Sequence, residues 1–517
     1  MAAAEEVLGC APFGVPADRA PEDTREASEK RLDVSPETVE AAFGNDAGES
    51  FTDTLAAARR LAAAGRDVAA TQTYVALLRQ DPTHLAALCE LGALACARGH
   101  RSAARTAYTQ AVRYHPGSAV ARISLGNILA ANGDPVQARL HYEAALAADP
   151  ERAEAHQGLA RVFPELACET SRGACSAVKL HWEKGFRGHA MVSRPYRGTG
   201  PAPSVLLLVA ACGGNIPLRH WINDRCYAVT VIYADFHDPA QDLPPHALVV
   251  NAIGDADLCG RALAGAAQVV ARSTAPVMNQ PARVAATGRV ANARRLRAVP
   301  GVIAPRTVSL PRRDILAAED WRFPLLLRAP GFHTGRHFVR VEHHEALARA
   351  VAALPGEELL AIEYLDARGP DGMARKYRVM FIDGAAYPLH LAISADWKVH
   401  HFTSGMAERA DHREEERRFL ADMPRVLGAR AMAALAGIAS VLGLEYAGVD
   451  FALAPDGSVL LFEANATMVI NPPDPGPIWD YRRPVAAAVL GAVADMLRRR
   501  GEEGQGLCPW TPLKAEP

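Results

Sequence analysis

The sequence has no long apolar run, no excess charge of either sign and no closely paired cysteines, and each absence removes a class of protein. Val205–Cys212 is among its longest apolar stretches and falls far short of the ~20 residues a membrane-spanning helix needs. No membrane segment is therefore expected. Fifty-six Lys and Arg stand against 58 Asp and Glu, a formal charge of −2. So balanced a chain has no global field to draw it onto nucleic acid or an anionic membrane. Glu5 and Glu6 occupy the place where a secretory signal carries Lys or Arg, and no apolar core follows. The nine cysteines are dispersed without a CxxC, the usage of reduced, structural thiols in a cytoplasmic protein. Cys168, Cys175 and His181 lie close together, but their spacing fits no common zinc finger and no fourth ligand is evident.

What is present is organisation. At roughly 100–200 residues per domain, 517 residues predict three to four folding units. Residues 1–50 are rich in Ala, Glu, Asp and Pro and bury too little apolar surface to offset ordering entropy, so they are expected to form a disordered leader. The next hundred residues repeat. Pro82, Pro116 and Pro150 are 34 apart, as are Gly65, Gly99 and Gly133; Tyr74, Tyr108 and Tyr142; and Ala70, Ala104 and Ala138. Small Ala positions let helices approach, Tyr fills the gap between hairpins, and Pro stops the second helix. Three repeats and a capping helix are expected over 51–165, then a connection over 166–202 whose Trp182, Phe186 and Tyr196 pack on a neighbour.

From Pro203 the period changes. SVLLLVAA, AVTVIYA and ALVVNA are short apolar runs at intervals that suit βα units, predicting a small parallel α/β domain over 203–280. Gly213-Gly214-Asn215 can cradle a phosphate or simply close a tight turn. Asp255 and Asp257 follow a strand, where ligands bind, and can equally be loop or cap residues. The arginine clusters Arg294–Arg297 and Arg498–Arg500 read as solvated helix faces.

The sharpest signal is GVDFALAPDGSVLLFEAN over Gly448–Asn465. Asp456-Gly457 predicts a two-residue hairpin turn. That register sets Val449, Phe451 and Leu453 on an apolar face with Leu460, Phe462 and Ala464. It places Asp450 opposite Glu463 on the other face, with Asn465 two residues on. Neither strand supplies a Lys or Arg to separate the two carboxylates. Such hard oxygen donors suit Mg²⁺, with Mn²⁺ as the alternative ion.

At these residues the chain resembles the ATP-grasp carboxylate–amine ligases, in the branch of glutathione synthetases and peptide- or glutamate-adding enzymes. Gly448, Val449, Asp450, Glu463 and Asn465 match that family's metal strand pair. FPLLLR followed by Gly331-Phe332-His333-Thr334-Gly335 resembles the strand and glycine loop over the ATP phosphates. AIEYL resembles the hinge strand that holds adenine, giving Glu363 and Leu365. YRVMFID resembles the next strand, whose Arg378 would contact phosphate or acyl phosphate. Two departures stand out: Arg289 and Arg328 occupy the positions where members usually carry Lys. Arg keeps the charge and can fork onto phosphate, with a different geometry.

The resemblance implies a multidomain chain: an all-α tetratricopeptide solenoid, a small α/β domain, an ATP-grasp domain over 281–500 and a tail over 501–517. It implies ATP and a divalent ion as cofactors. The reaction would put the γ-phosphate on a carboxylate and then pass the acyl group to an amine, an amino acid or peptide supplying the substrates. No enzyme nucleophile is needed, so no cysteine is assigned to catalysis. His390, Lys398, His400 and Asn471 would line the acceptor pocket, and the solenoid would recruit a peptide or protein partner. The alternative is an interaction scaffold carrying a degenerate nucleotide domain; a kinase that stops at the phosphorylated acid is a third.

Overall fold

A computed structural model describes residues 51–167, 173–194, 196–218, 221–332, 335–399, 404–471, 473 and 476–505. The leader, Cys168, His333 and His400 lie outside the described residues, as does most of the tail. The chain divides into two compact units. One comprises Met1–Ala190, Arg194–Ala202 and Asp224–Tyr227; the other comprises Met191–Ser193, Pro203–Asn223 and Ala228–Pro517.

The first unit is a stack of helical hairpins. Helices α1 (Phe51–Ala63) and α2 (Asp67–Gln80), α3 (Leu85–Ala97) and α4 (Arg101–Tyr114), and α5 (Ala119–Ala131) and α6 (Pro135–Ala148) pack as successive pairs. Gly65, Gly99 and Gly133 close the three turns at φ of +71°, +81° and +79°, a backbone that other residues adopt only with strain. The repeating prolines follow the second helix of each pair. Ser118 Oγ and Asp134 Oδ1 accept from backbone N–H groups three residues on, satisfying donors that the first helical turn leaves open. Ala70, Ala104 and Ala138 are fully buried. The tyrosine fit has a precise cause: a Cβ on Gly126 would stand 2.7 Å from the Tyr142 ring, and one on Gly158 closer still. A fourth pair, α7 (Ala153–Ala167) and α8 (Gly173–Phe186), continues the stack. Helix α8 falls in the stretch expected to be a connection, and its Phe186 is buried.

Among its described residues the second unit holds three sheets. In the first, β2 (Ser204–Val209), β3 (Ala228–Tyr233), β4 (Leu248–Asn251) and β5 (Val277–Met278) run parallel, and β1 (Met191–Ser193) adds antiparallel at the β3 edge. The order β1-β3-β2-β4-β5 puts a change of winding direction at the end of β2. Helix α9 (Gly260–Ala271) follows β4, and α10 (Pro281–Ala285) and α11 (Arg289–Leu296) follow β5.

The second sheet, ordered β7-β10-β8-β9, is antiparallel: β7 (Thr307–Pro311), β8 (Leu325–Arg328), β9 (Phe338–Val341) and β10 (Glu358–Glu363). Helices α12 (Arg312–Ala317) and α13 (Leu347–Ala353) cover it through Ile315, Leu347 and Val351. The third sheet is β12-β11-β13-β14-β6. Its strands are β6 (Val302–Ile303), β11 (Ala374–Ile382), β12 (Ala385–Ser394), β13 (Tyr446–Leu453) and β14 (Val459–Asn465).

Helices α14 (Ala410–Ala421), α15 (Met423–Leu442) and α16 (Arg483–Gln505) pack on this third sheet. Helix α15 is long and apolar enough, by length and composition, to cross a membrane. Here Leu427, Ala431, Leu435, Ile438 and Leu442 bury one side of it, Arg425 and Arg430 interrupt its sequence, and Gly428 breaks its backbone at φ +77°. Beneath α14, the fully buried Glu416 accepts from Leu391 N, Tyr481 Oη and both Nε and Nη2 of Arg482.

The arginine clusters are more than solvated faces. Arg499 and Arg500 each donate to Asp383 at 2.9 Å. Arg295 reaches the carbonyls of Ala286 and Val441 at 2.9 and 2.6 Å. They tether helix ends to neighbouring turns.

Candidate active site

The β13–β14 hairpin forms with a different turn and the same outcome at its acids. Ala454 N donates to Ser458 O and Gly457 N to Ala454 O, so the loop is the three residues Pro455-Asp456-Gly457, with Gly457 at φ +78°. Pairing therefore begins at Leu453–Val459 and Phe451–Leu461, one residue out of the expected register. A bulge between Asp450 and Phe451 leaves Phe462 unopposed, and beyond it Asp450 pairs with Glu463 as expected. Phe462 consequently turns outward at 37% exposure, rather than joining the apolar face.

The two acids are not left facing each other. Neither of the hairpin's own strands carries a cation, and the cations arrive from elsewhere. Strand β11 pairs with β13 so that Arg378 stands opposite Asp450. Arg378 donates Nε to Oδ1 at 2.6 Å and Nη2 to Oδ2 at 2.8 Å, a two-point fork of the strong kind. Lys376, two residues earlier and so on the same face, places Nζ 3.1 Å from Oδ2. Burial pushes the Asp450 carboxyl up, but Arg378 and then Lys376 outweigh it and hold the group well below the usual carboxylate range. Arg289, the first residue of α11, donates Nη2 to Glu463 Oε1 at 2.8 Å and Nη1 to Asp257 Oδ2 at 3.0 Å. Asn465 Oδ1 accepts from Thr467 N and Oγ1.

Arg328 ends β8 and stands apart from these pairs. Its guanidinium donates to the Phe332 carbonyl and lies 5.4 Å from the Phe338 ring centroid. Among the described residues it has no carboxylate within ion-pair range. Burial and then the charge of Arg289 push its pKa down. Glu463, Asp255 and Asp257 offset that in part from longer range.

The loops of the first sheet resolve two open choices. Asn215 ties both its amide groups to the Ala210 backbone at 2.8 Å, closing a tight turn. Asp255 accepts from Asp257 N and Leu258 N, and Asp257 accepts from the Arg289 backbone and side chain. The first is a cap; the second couples this sheet to Arg289.

Around the glycine loop, Gly331 and Gly335 take φ of +79° and +74°. Lys398 presses on Gly335, where any Cβ would collide with its Cε, and its Nζ lies 3.5 Å from Phe338 O. Trp397 packs on Phe338 and Tyr364 at centroid distances of 5.4 and 6.5 Å, with Arg340 over both Tyr364 and Trp397. The segment after β12 thus spans from the third sheet to the second. Glu363 ends β10 with its carboxylate on Arg306 N at 2.9 Å, and Leu365 is half-buried beyond it. His390 is buried on β12 opposite Arg378. Asn471 is exposed, and no contact among the described residues joins it to the acids.

The structure therefore assembles Arg289, Arg378, Asp450, Glu463 and Asn465 at one place, with His390 beside Arg378. It sets Arg328, Gly331, Gly335 and Lys398 along the glycine loop. Lys376 was missed, although Lys-x-Arg in a strand puts both cations on one face. The donor set does not fit a divalent ion as it stands. Both Asp450 oxygens hold cations, Glu463 holds Arg289, and no group of three or more His, Cys, Asp or Glu side chains among the described residues is placed to hold a metal.

A sequence model of the tetratricopeptide repeat matches residues 89–153 and 125–163. No curated protein matches the sequence. Among solved structures, MamA from Desulfovibrio magneticus RS-1 is 20% identical with a TM-score of 0.24, covering 26% of this chain and 75% of its own. A RimK-domain ATP-grasp protein from Sphaerobacter thermophilus is 17% identical with a TM-score of 0.36, covering 57% of this chain and 99% of its own. The helical hairpins of the first unit thus carry the tetratricopeptide pattern over residues 89–163, and the second is an α/β unit.

Proposed function

We propose that the second unit is an ATP-dependent carboxylate–amine ligase. The observation that carries this reading is the convergence of Arg289, Arg328, Lys376 and Arg378, from three elements, around Asp450 and Glu463. Buried cations at such density suit the charge of a transferring phosphoryl group. Arg328 and Arg289 bind the phosphates, and Arg378 steadies the acyl phosphate. Glu363 and the backbone beside Leu365 receive the adenine.

In this reaction a carboxylate oxygen of the acid attacks the γ-phosphorus and ADP leaves. The amine nitrogen then attacks the acyl carbon, loses its proton, and expels phosphate as the amide forms. The segment carrying Trp397 and Lys398 borders the glycine loop and limits access of water to the activated acid. The solenoid supplies a concave surface for a peptide or protein segment and raises the local concentration of a protein-borne substrate. The chain acts in the cytoplasm.

The test is ADP release by the full chain against a panel of amino acids and short peptides, with products weighed by mass spectrometry. Release should require both an acid and an amine, and the product should weigh their sum less one water. Arg328→Ala should abolish nucleotide binding. ADP release that needs no amine would make the protein a kinase or ATPase, and absence of nucleotide binding would leave only a scaffold.

A further inference from the structure

We propose that the α/β unit binds nucleoside triphosphate through side-chain cations with little dependence on a divalent ion, Lys376 and Arg378 taking at Asp450 the place such an ion would occupy. This rests on the nucleotide reading above and goes beyond it.

A divalent ion needs carboxylate oxygens with room for its remaining ligands, and Mg²⁺ in particular keeps several waters in a strict octahedron. Asp450 offers neither. Its side chain is 5% exposed, one oxygen lies 2.6 Å from Arg378 Nε, and the other is shared between Arg378 Nη2 and Lys376 Nζ. To coordinate there, an ion would have to displace a forked guanidinium and an ammonium group into a poorly solvated space. Glu463 is engaged by Arg289, and Asn465 has spent its oxygen on Thr467.

Charge points the same way. Arg289, Arg328, Lys376 and Arg378 stand against Asp255, Asp257, Asp450 and Glu463. The carboxylates at the site are thus already balanced by side-chain cations, which leaves little negative charge to draw in a bare dication. Guanidinium forks also match phosphate oxygens in geometry. Arg328 and Arg289 are then the groups that meet the phosphates. Arg378 stays anchored on Asp450, and Lys376 is a positioning residue that completes the neutralisation of that acid. The two arginines at the usual lysine positions belong to the same arrangement.

The experiment is calorimetric titration of the full chain with the β,γ-imido analogue of ATP, once with excess EDTA and once with Mg²⁺. The dissociation constant in EDTA should lie within about tenfold of that in Mg²⁺; a larger loss overturns the proposal. Lys376→Met leaves Asp450 Oδ2 with Arg378 Nη2 alone and opens room beside it, so it should keep its affinity in Mg²⁺ and lose more than about tenfold in EDTA. An equal loss under both conditions would make Lys376 merely structural and overturn its role. Should Lys376→Met fail to fold, Lys376→Arg keeps the charge and should retain binding in EDTA; dependence on Mg²⁺ in that variant counts against the proposal. Binding only with Mg²⁺ sinks this inference and leaves the ligase reading standing. Binding under neither condition sinks both.

Discussion

The two units hold themselves together over different distances along the chain. Between neighbouring helices of the solenoid the partners are close in sequence: Tyr74 donates to Glu90 across 16 residues and Tyr142 to Asn127 across 15, while Asp67 also takes Arg225 across 158. In the α/β unit, Arg378 reaches Asp450 across 72 residues and Arg289 reaches Glu463 across 174. A repeat array is stabilised by each unit and its neighbour, so its architecture is written locally and repeatedly. A site assembled from three elements is written once, in pieces.

The sharpest way to expose that difference is Glu416→Ala. Glu416 is fully buried and takes hydrogen bonds from Tyr481, Arg482 and the Leu391 backbone. Its removal strands the Arg482 guanidinium, whose side chain is 9% exposed. Breaking a buried pair from one side costs about 3–5 kcal/mol. Denaturant unfolding followed by hydrogen exchange should show that loss throughout β12, α14 and α16. A change under about 1 kcal/mol would mean water reaches the pair, and that the burial inferred here is wrong.

The counterpart in the solenoid is Gly158→Val. The Tyr142 ring occupies the space where a side chain at 158 would stand, so overpacking should cost about 1–3 kcal/mol. The comparison predicts where that loss appears. Exchange should rise in α6, α7 and α8 and stay unchanged in α1 and α2, because coupling passes only between neighbouring hairpins. A uniform rise across helices α1 to α8 would show that the stack unfolds as one body.

The same contrast decides what was legible beforehand. Four residue registers at one period located the solenoid, and the glycines, tyrosines and alanines sit where the period puts them. Helix α8 was obscured because the prolines and glycines that mark the earlier repeats do not recur there. The Asp450–Glu463 pairing was legible because two local errors cancel: the loop is one residue longer than expected, and the bulge at Phe462 restores the register. What could not be read is who neutralises those acids. Lys376, Arg378 and Arg289 become neighbours of the hairpin only through strand order and helix placement, which no local pattern encodes. The buried Glu416 was equally silent, lying in the charged run DHREEERR, where most carboxylates face water.

The smallest expected effect lies in the solenoid and depends on pH. His181 on α8 stacks on Phe163 at 5.4 Å, and its Nδ1 lies 2.7 Å from His156 Nδ1. The other charged neighbours are Lys184 and its partner Glu151. Burial, then His156 and Lys184, pull the His181 pKa from 6.5 to about 4. A histidine that resists protonation when folded takes up a proton more readily when unfolded. Its contribution is therefore complete above pH 6.5 and is lost progressively as pH falls toward 4. The shift alone would be worth roughly 3 kcal/mol, but His181 is only half-buried, so solvent screening reduces the expected loss to about 1 kcal/mol. His181→Phe keeps the stacking surface and removes the titration. Thermal melts from pH 7 to pH 4 should show the native protein losing stability faster than this variant in its first unit. Parallel curves would show that His181 is no harder to protonate in the folded chain than in the unfolded one, and would overturn the shift.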